Sequence, residues 1–167
     1  MNLIIDLVDL YRKEYQNIKA NRNVLDFGDL EHLSLSILQN NEIASQIRDT
    51  YQYVFVDEYQ DVNDIQENIL THIYSPGRVF LVGDVKQSIY GFRNTNPQIF
   101  IDKTINFSNP DNAHQTTIKL NYNFRSDERV LEYINSVFNI VMTPELAGID
   151  YLADGQLRAG LDPVPDS

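Results

Sequence analysis

Two segments in the first forty positions carry the apolar spacing of amphipathic helices. Residues 3–18 place an apolar side chain every three or four positions, so these side chains share one helical face. Asp26 is a common N-cap residue type, and it precedes a second such face formed by Phe27, Leu30, Leu33, Ile37 and Leu38. A third, shorter helix is predicted from Asn41 to about Thr50. This part of the chain is therefore predicted to be helical.

Two nearly unbroken apolar runs predict strands that are covered on both faces. Residues 53–56 read Tyr-Val-Phe-Val and residues 79–82 read Val-Phe-Leu-Val, a composition typical of buried parallel strands. Each run is followed by a predicted helix, the first capped by Asn63 and the second opening at Asn96 and Pro97. Strands that alternate with helices indicate an α/β fold with a parallel sheet.

The rest of the chain predicts one more strand and one more helix. Residues 108–115 are polar and predict a loop, and residues 117–120 predict a third strand. Ser126 is expected to cap a long helix with apolar residues at positions 130, 134, 137, 138 and 141. Pro144 is expected to end this helix. The predicted division is a domain over residues 1–143 and an irregular acidic tail over residues 144–167.

Charge argues against one class of ligand overall but not locally. The chain has 167 residues and a net charge of −11, which opposes nucleic-acid binding because such binding draws on neutralised phosphates. The acids are unevenly distributed, however. Residues 145–167 contain five acids and one base, whereas residues 78–103 contain four bases and two acids. A nucleic-acid contact is therefore expected only in the second of these segments.

Composition also limits metal chemistry and location. There is no cysteine, and the three histidines lack ligand spacing, so a thiolate or histidine metal site is not expected. No apolar run approaches the roughly 20 residues of a membrane span, and the first residues do not resemble a secretory signal. The sequence thus predicts a soluble cytoplasmic protein without a membrane partner.

Acidic side chains follow both predicted strands directly. Asp57 and Glu58 come after the first strand and Asp84 after the second, at the carboxyl ends where parallel sheets bind ligands. A carboxylate pair at such an edge suits a hydrated Mg²⁺ ion and the orientation of a water nucleophile. Residues 84–93, DVKQSIYGFR, then add two aromatic rings and an arginine within a few positions.

Four motifs in order give the chain a family resemblance. They are DFGDL at residues 26–30, VDEYQDVN at 56–63, LVGDVKQSIYGFR at 81–93 and NFRS at 123–126. The set resembles the UvrD/Rep-like DNA helicases of superfamily 1, and within them AddA, also called RexA, a subunit of ATP-dependent helicase/nucleases. The resemblance implies a truncated first RecA-like motor domain, with a parallel sheet flanked by helices.

The resemblance also implies roles for particular residues. Asp57 would bind Mg²⁺ through water, and Glu58 would position the attacking water. Gln87 would sense the γ-phosphate of ATP, and Arg125 would act as an arginine finger on it. The single-stranded DNA would be bound by stacking and by a cation, at Tyr90, Phe92 and Arg93.

One family motif is missing from the sequence. The phosphate-binding pattern Gly-x-x-x-x-Gly-Lys-Ser/Thr does not occur. The chain is therefore expected to be a fragment without ATPase, helicase or nuclease activity of its own. The parent protein is expected to use Mg²⁺ and ATP, to act on single- and double-stranded DNA in double-strand-break repair, and to work with a second nuclease subunit similar to AddB or RexB.

Two alternatives use the same residues differently. An acidic protein-interaction module would bury Tyr90 and Phe92 and have no nucleotide site. A Mg²⁺-dependent phosphohydrolase would use four carboxylates as metal ligands. These would be Asp57, Glu58, Asp61 and Asp84.

Overall fold

The computed structural model describes residues 2–109, 111 and 114–160. Its residues divide into two compact units. The first unit contains the described residues up to position 52 together with residues 65–74. The second contains residues 53–64 and the described residues from position 75 onwards. None of the described helices is long and apolar enough to cross a membrane.

The first unit is helical, as the apolar spacing predicts. It consists of α1 (Asn2–Arg22), α2 (Phe27–Leu38), α3 (Asn41–Thr50) and all but the first residue of α4 (Asp64–Ile73). The Asp26 cap is confirmed, because its carboxylate accepts from the Asp29 backbone N–H while the Asp29 carboxylate accepts from the Asp26 N–H. Most apolar side chains of α1 and α2 are exposed, however, and in α2 only Leu38 is buried.

A buried lysine joins α1 to the start of α2. Lys19 is 6% exposed, and its ammonium group lies 2.8 Å from Asp26 Oδ2 and 2.5 Å from Asp29 Oδ2. The Tyr15 hydroxyl donates to the same Asp26 oxygen at 3.1 Å. Because both carboxylates already belong to the cap of α2, the ion pair fixes the helix start as well as the angle of the chain.

Two parallel strands begin the second unit. Strands β1 (Val54–Val56) and β2 (Val79–Leu81) pair with Phe55 opposite Phe80. The expectation that both faces are covered is wrong, since Phe55 is 73% and Phe80 51% exposed. In the described sheet no third strand pairs with either of them, so one face of the pair stays open. The turn Tyr59–Asp61 after β1 is a short 3₁₀ helix, and its Tyr59 is fully buried with the ring edge-on to Phe100.

Helix α5 (Pro97–Phe107) opens at the predicted proline. The predicted strand at residues 117–120 is wrong: Ile118 and Leu120 are 68% and 84% exposed, and β3 forms at Tyr122–Asn123 instead. Its parallel partner is β4 (Arg158–Ala159), which bonds to the carbonyls of residues 121 and 123 and so determines where the ladder forms. The loop predicted at residues 108–115 includes positions 110, 112 and 113, which lie outside the described residues.

Helix α6 (Glu128–Val141) is confirmed, but its cap is Asp127 rather than Ser126. The Asp127 carboxylate accepts from the Arg129 backbone N–H at 3.0 Å. The positions buried on α6 are Leu131 and Asn135, which lie beside the predicted apolar face rather than on it.

The expected irregular tail is wrong for the part that the structure describes. It contains α7 (Pro144–Ala147), a π-helical turn at Tyr151–Gly155 and β4. Tyr151 is 2% exposed, and its hydroxyl donates to Asn135 Oδ1 at 2.8 Å. The segment is ordered because this buried ring and the β3–β4 pairing attach it to α6 and β3. Residues 161–167 lie outside the described part.

Candidate functional site at the strand tips

The predicted acid pair lies at the end of β1. Asp57 and Glu58 are both exposed, and Asp57 Oδ1 accepts from the Glu58 backbone N–H at 2.9 Å. Glu58 has a left-handed backbone, with φ of 51°. Such a conformation costs a non-glycine residue about 1–3 kcal/mol. The Tyr59 N–H then donates to the Val82 carbonyl at 2.8 Å, so the turn after β1 is bonded to the end of β2.

A buried amide connects the two strand tips. Gln60 is 1% exposed. Its Nε2 donates to Glu58 Oε2 at 2.7 Å, and its Oε1 accepts from the Asp84 backbone N–H at 2.9 Å. The acid that follows β1 is therefore linked to the residue that follows β2.

Asp84 extends this link to the predicted phosphate sensor. Gln87 Nε2 donates to Asp84 Oδ2 at 3.1 Å, and Lys86 Nζ lies 2.7 Å from Asp84 Oδ1. Partial burial is the largest single influence on the Asp84 carboxyl and favours its neutral form. The hydrogen bonds from Lys86 and Gln87 together outweigh burial and place the pKa of Asp84 below its ordinary value. Glu58 and Gln87 thus belong to one hydrogen-bonded chain that runs through Gln60 and Asp84.

The two predicted stacking rings are exposed on the same short segment. Tyr90 is 37% and Phe92 78% exposed, and their ring centroids are 5.9 Å apart. The Arg93 guanidinium lies over both rings, 5.4 Å from the Tyr90 centroid and 5.6 Å from that of Phe92. The burial expected for an interaction module is therefore wrong for both rings. Two rings and a cation form a flat, preorganised surface on which a planar group can stack.

The ring-bearing segment is anchored again at its far end. The Asn96 backbone N–H donates to the Val62 carbonyl at 2.9 Å, and Asn96 Nδ2 donates to Asp64 Oδ1 at 3.1 Å. Asn96 occupies the predicted cap position of α5, but its side chain makes no capping bond. Residues 84–96 are therefore attached at both ends to the turn and helix start that follow β1.

Arg125 is not brought to the strand tips by any contact. Its side chain is exposed, and its guanidinium makes no hydrogen bond or ion pair with another residue that the structure describes. The backbone around it is well defined, since the N–H groups of Arg125 and Ser126 both donate to Asn123 Oδ1, at 2.8 and 2.9 Å.

The carboxylates do not form a dedicated metal cage. Over the described residues, no group of three or more histidine, cysteine, aspartate or glutamate side chains is arranged to hold a metal ion. Asp84 is paired with Lys86, and one buried oxygen of Asp61 has no hydrogen-bond partner. The four-carboxylate site of a phosphohydrolase is therefore not formed. Asp57 is different, because its second oxygen makes no bond to a described residue, and Mg²⁺ binds proteins through one or two carboxylates plus waters and phosphates.

Comparison with known proteins agrees with these motifs. Residues 5–108 match the family model described as the UvrD/REP helicase N-terminal domain. Among curated proteins, the chain is 41% identical over 162 residues to the A-type subunit of an ATP-dependent helicase/nuclease from Syntrophomonas wolfei, covering 97% of this chain and 13% of that protein. It is 42% identical over 162 residues to the protein of the same name from Lactobacillus helveticus, covering 93% of this chain and 14% of that protein.

A third relative of the same name, from Alkaliphilus oremlandii, is 39% identical over 168 residues, which cover 99% of this chain and 14% of that protein. The chain therefore spans only about one seventh of the length of the relatives it matches. Because the family model covers more than half of the residues, the chain belongs to the UvrD/REP helicase N-terminal domain family.

Proposed function

We propose that this chain is part of the first RecA-like motor domain of an AddA-type ATP-dependent helicase/nuclease that acts on DNA in double-strand-break repair. One observation carries the proposal. The hydrogen-bonded chain from Glu58 to Gln87 lies at the carboxyl ends of two parallel strands, and an exposed ring pair follows it on the same segment. In parallel α/β sheets this is the edge at which ligands bind.

At the nucleotide end, each residue has a separate task. The Asp57 carboxylate holds Mg²⁺ through water, and the metal supplies charge neutralisation of the phosphates. Glu58 orients the attacking water, since its second neighbour Gln60 already fixes the carboxylate. Gln87 reports the presence of the γ-phosphate, and Arg125 neutralises charge on the transferring group.

At the DNA end, the rings supply affinity without base specificity. Stacking on an aromatic ring contributes about 1–3 kcal/mol per base and tolerates every base. Tyr90 and Phe92 provide that surface, and Arg93 contributes positive charge where the chain is locally basic. A shift of Gln87 on hydrolysis is only three residues from the first ring, so it moves a bound base.

The activities belong to the whole protein rather than to this chain. The sequence contains no glycine-rich phosphate loop, so we infer that the 167 residues alone neither hydrolyse ATP nor unwind or cut DNA. We further propose a second nuclease subunit, similar to AddB or RexB, as partner of the parent protein. We propose a cytoplasmic location for the parent protein, where its substrates ATP and DNA are found.

The metal assignment is tested with Mn²⁺ as a paramagnetic substitute for Mg²⁺. In NMR spectra of the labelled chain with ATP, Mn²⁺ is expected to broaden the side-chain signals of Asp57 and Glu58 first, and Asp57→Asn is expected to abolish this. Asp6 and Asp9, two exposed acids on α1, serve as controls. Equal broadening of all four acids would contradict the assignment.

A phosphate-release assay tests the inferred lack of activity. The chain is mixed with Mg²⁺, ATP and single-stranded DNA, and no turnover above background is expected. Turnover within tenfold of that of an intact helicase would show that the missing phosphate loop is dispensable.

A further inference from the structure

Gln60 is a buried amide placed between charged, exposed neighbours. Its residue is 1% exposed, although Glu58 and Asp57 beside it are open to solvent. A buried amide is costly unless both its oxygen and its nitrogen are hydrogen-bonded. Both are, since Oε1 accepts from the Asp84 N–H and Nε2 donates to the Glu58 carboxylate.

The chemistry of the two partners permits only one orientation of this amide. The Asp84 backbone N–H is a donor and requires an acceptor, whereas the ionised Glu58 carboxylate accepts only and requires a donor. A glutamate at position 60 keeps the acceptor but sets a second carboxylate against Glu58. A methionine keeps the approximate length and loses both bonds.

The neighbouring strand tip is shaped to admit this amide. A Cβ atom added at Gly83 would lie 2.6 Å from Gln60 Oε1 and 3.2 Å from the Gln60 backbone nitrogen. Real Cβ atoms do not approach an oxygen so closely, so the Gln60 amide occupies space that only glycine leaves open. The contact between the two tips is therefore built into residues on both strands.

We propose that Gln60 is a positioning residue: its amide clamps the Glu58 carboxylate to the Asp84 backbone, so the water-orienting acid and the Gln87 segment are held at a fixed separation. This assignment rests on the proposed function for the roles of Glu58 and Gln87. The clamp itself is a property of the chain. Because Asp84 also accepts from Gln87 Nε2, a displacement of Glu58 is passed to Gln87 through a single side chain.

The experiment compares two variants that separate the two halves of the amide. In Gln60→Met, hydrogen exchange of the Asp84 N–H is expected to become about three- to tenfold faster, the factor that loss of one net hydrogen bond gives. In Gln60→Glu, the Asp84 N–H is expected to keep its protection, whereas the Glu58 side chain becomes mobile in NMR relaxation. Exchange of the Val82 N–H, which bonds to Val56, reports whether the sheet stays folded.

Gln98→Met is the matched control, because Gln98 is exposed and bonds only within α5, to Asp102. It is expected to leave both readouts unchanged. A merely structural role for Gln60 would raise exchange at Asp84 and Val82 together in both variants, and that result would overturn the proposal. So would Asp84 exchange that is unchanged in Gln60→Met. Neither readout involves nucleotide or DNA, so the clamp can fail while the proposed function stands, and the reverse.

Discussion

Three polar or charged side chains are buried among the described residues, and each one ties two segments together. Lys19 joins α1 to α2, Gln60 joins the tips of β1 and β2, and Asn135 joins α6 to the segment around Tyr151. Each makes several hydrogen bonds, which is the condition under which burial of a polar group is tolerated.

Asn135 gives the first prediction at this scale. Its Oδ1 accepts from the Tyr151 hydroxyl and the Leu157 N–H, and its Nδ2 donates to the Leu157 carbonyl. Asn135→Leu leaves three partners unpaired and is expected to lower the free energy of unfolding by about 2–4 kcal/mol. Asn139→Leu, at an exposed position of the same helix, is expected to change it by less than about 0.5 kcal/mol. Equal losses in urea denaturation would contradict this account of Asn135.

The Lys19 cluster predicts a dependence on acid. The hydrogen bond from Lys19, followed by that from the Asp29 N–H, lowers the pKa of Asp26 to about 2, and Lys19 also lowers the pKa of Asp29. A lowered carboxyl pKa stabilises the fold above the ordinary value of about 3.9, and this stabilisation is lost as the pH falls towards about 2. The first unit is therefore expected to lose stability across that window.

An NMR titration with one substitution checks the cause of this shift. In Lys19→Met the pKa of Asp26 is expected to rise to its ordinary value or above it, because Asp29 remains nearby without a cation. Lys13→Met, an exposed position on α1, is the control and is expected to leave Asp26 unchanged. An Asp26 that still titrates near 2 without Lys19 would show that the cap alone lowers its pKa.

At the scale of elements, the turn between the strand tips depends on a glycine. The close approach that a Cβ at Gly83 would make to Gln60 predicts that Gly83→Ala displaces the buried amide and destabilises the chain by about 1–3 kcal/mol. Gly91→Ala is the matched control, since a Cβ there meets nothing within 4 Å. Thermal unfolding measures both. A Gly83→Ala variant as stable as Gly91→Ala would mean that the tips are not in close contact.

The sequence predicts most helices correctly because their signals are local. Apolar spacing and caps such as Asp26 place α1, α2 and α6 within a few residues. The error at residues 117–120 has a different origin, since β3 is determined by its partner β4 about 35 positions later. Pairing with a distant strand leaves no local signal, and for the same reason the sequence does not predict Tyr151 in the core.

The candidate site divides in the same way. The acids, Gln87 and the rings follow from their order behind two strands. The clamps of Gln60 and Asn96 do not, because a side chain that bonds across strands has no required spacing. The one available signal for Gln60 is an uncharged amide within the acidic run DEYQD.

At the scale of the whole molecule, the exposed aromatic rings fall into more than one group. Besides Tyr90 and Phe92, the open face of β1 and β2 carries Tyr53, Phe55 and Phe80, with neighbouring centroids 6.3 and 6.0 Å apart. Exposure alone therefore does not identify a nucleic-acid surface. The difference is that only the first pair has an arginine over its rings and a hydrogen-bonded path to the acid turn.

That difference allows a direct test of the central claim, that residues 84–93 join a nucleobase surface to the nucleotide edge. The labelled chain is titrated with a short oligothymidine at low salt, because its charge of −11 weakens binding at higher salt. The account predicts that NMR signals of the Tyr90 and Phe92 rings shift, that those of Asp84 N–H and Gln87 Nε2 shift with them, and that Phe80 does not. Shifts of Phe80 equal to those of Phe92, or rings that respond while Asp84 and Gln87 do not, would contradict it.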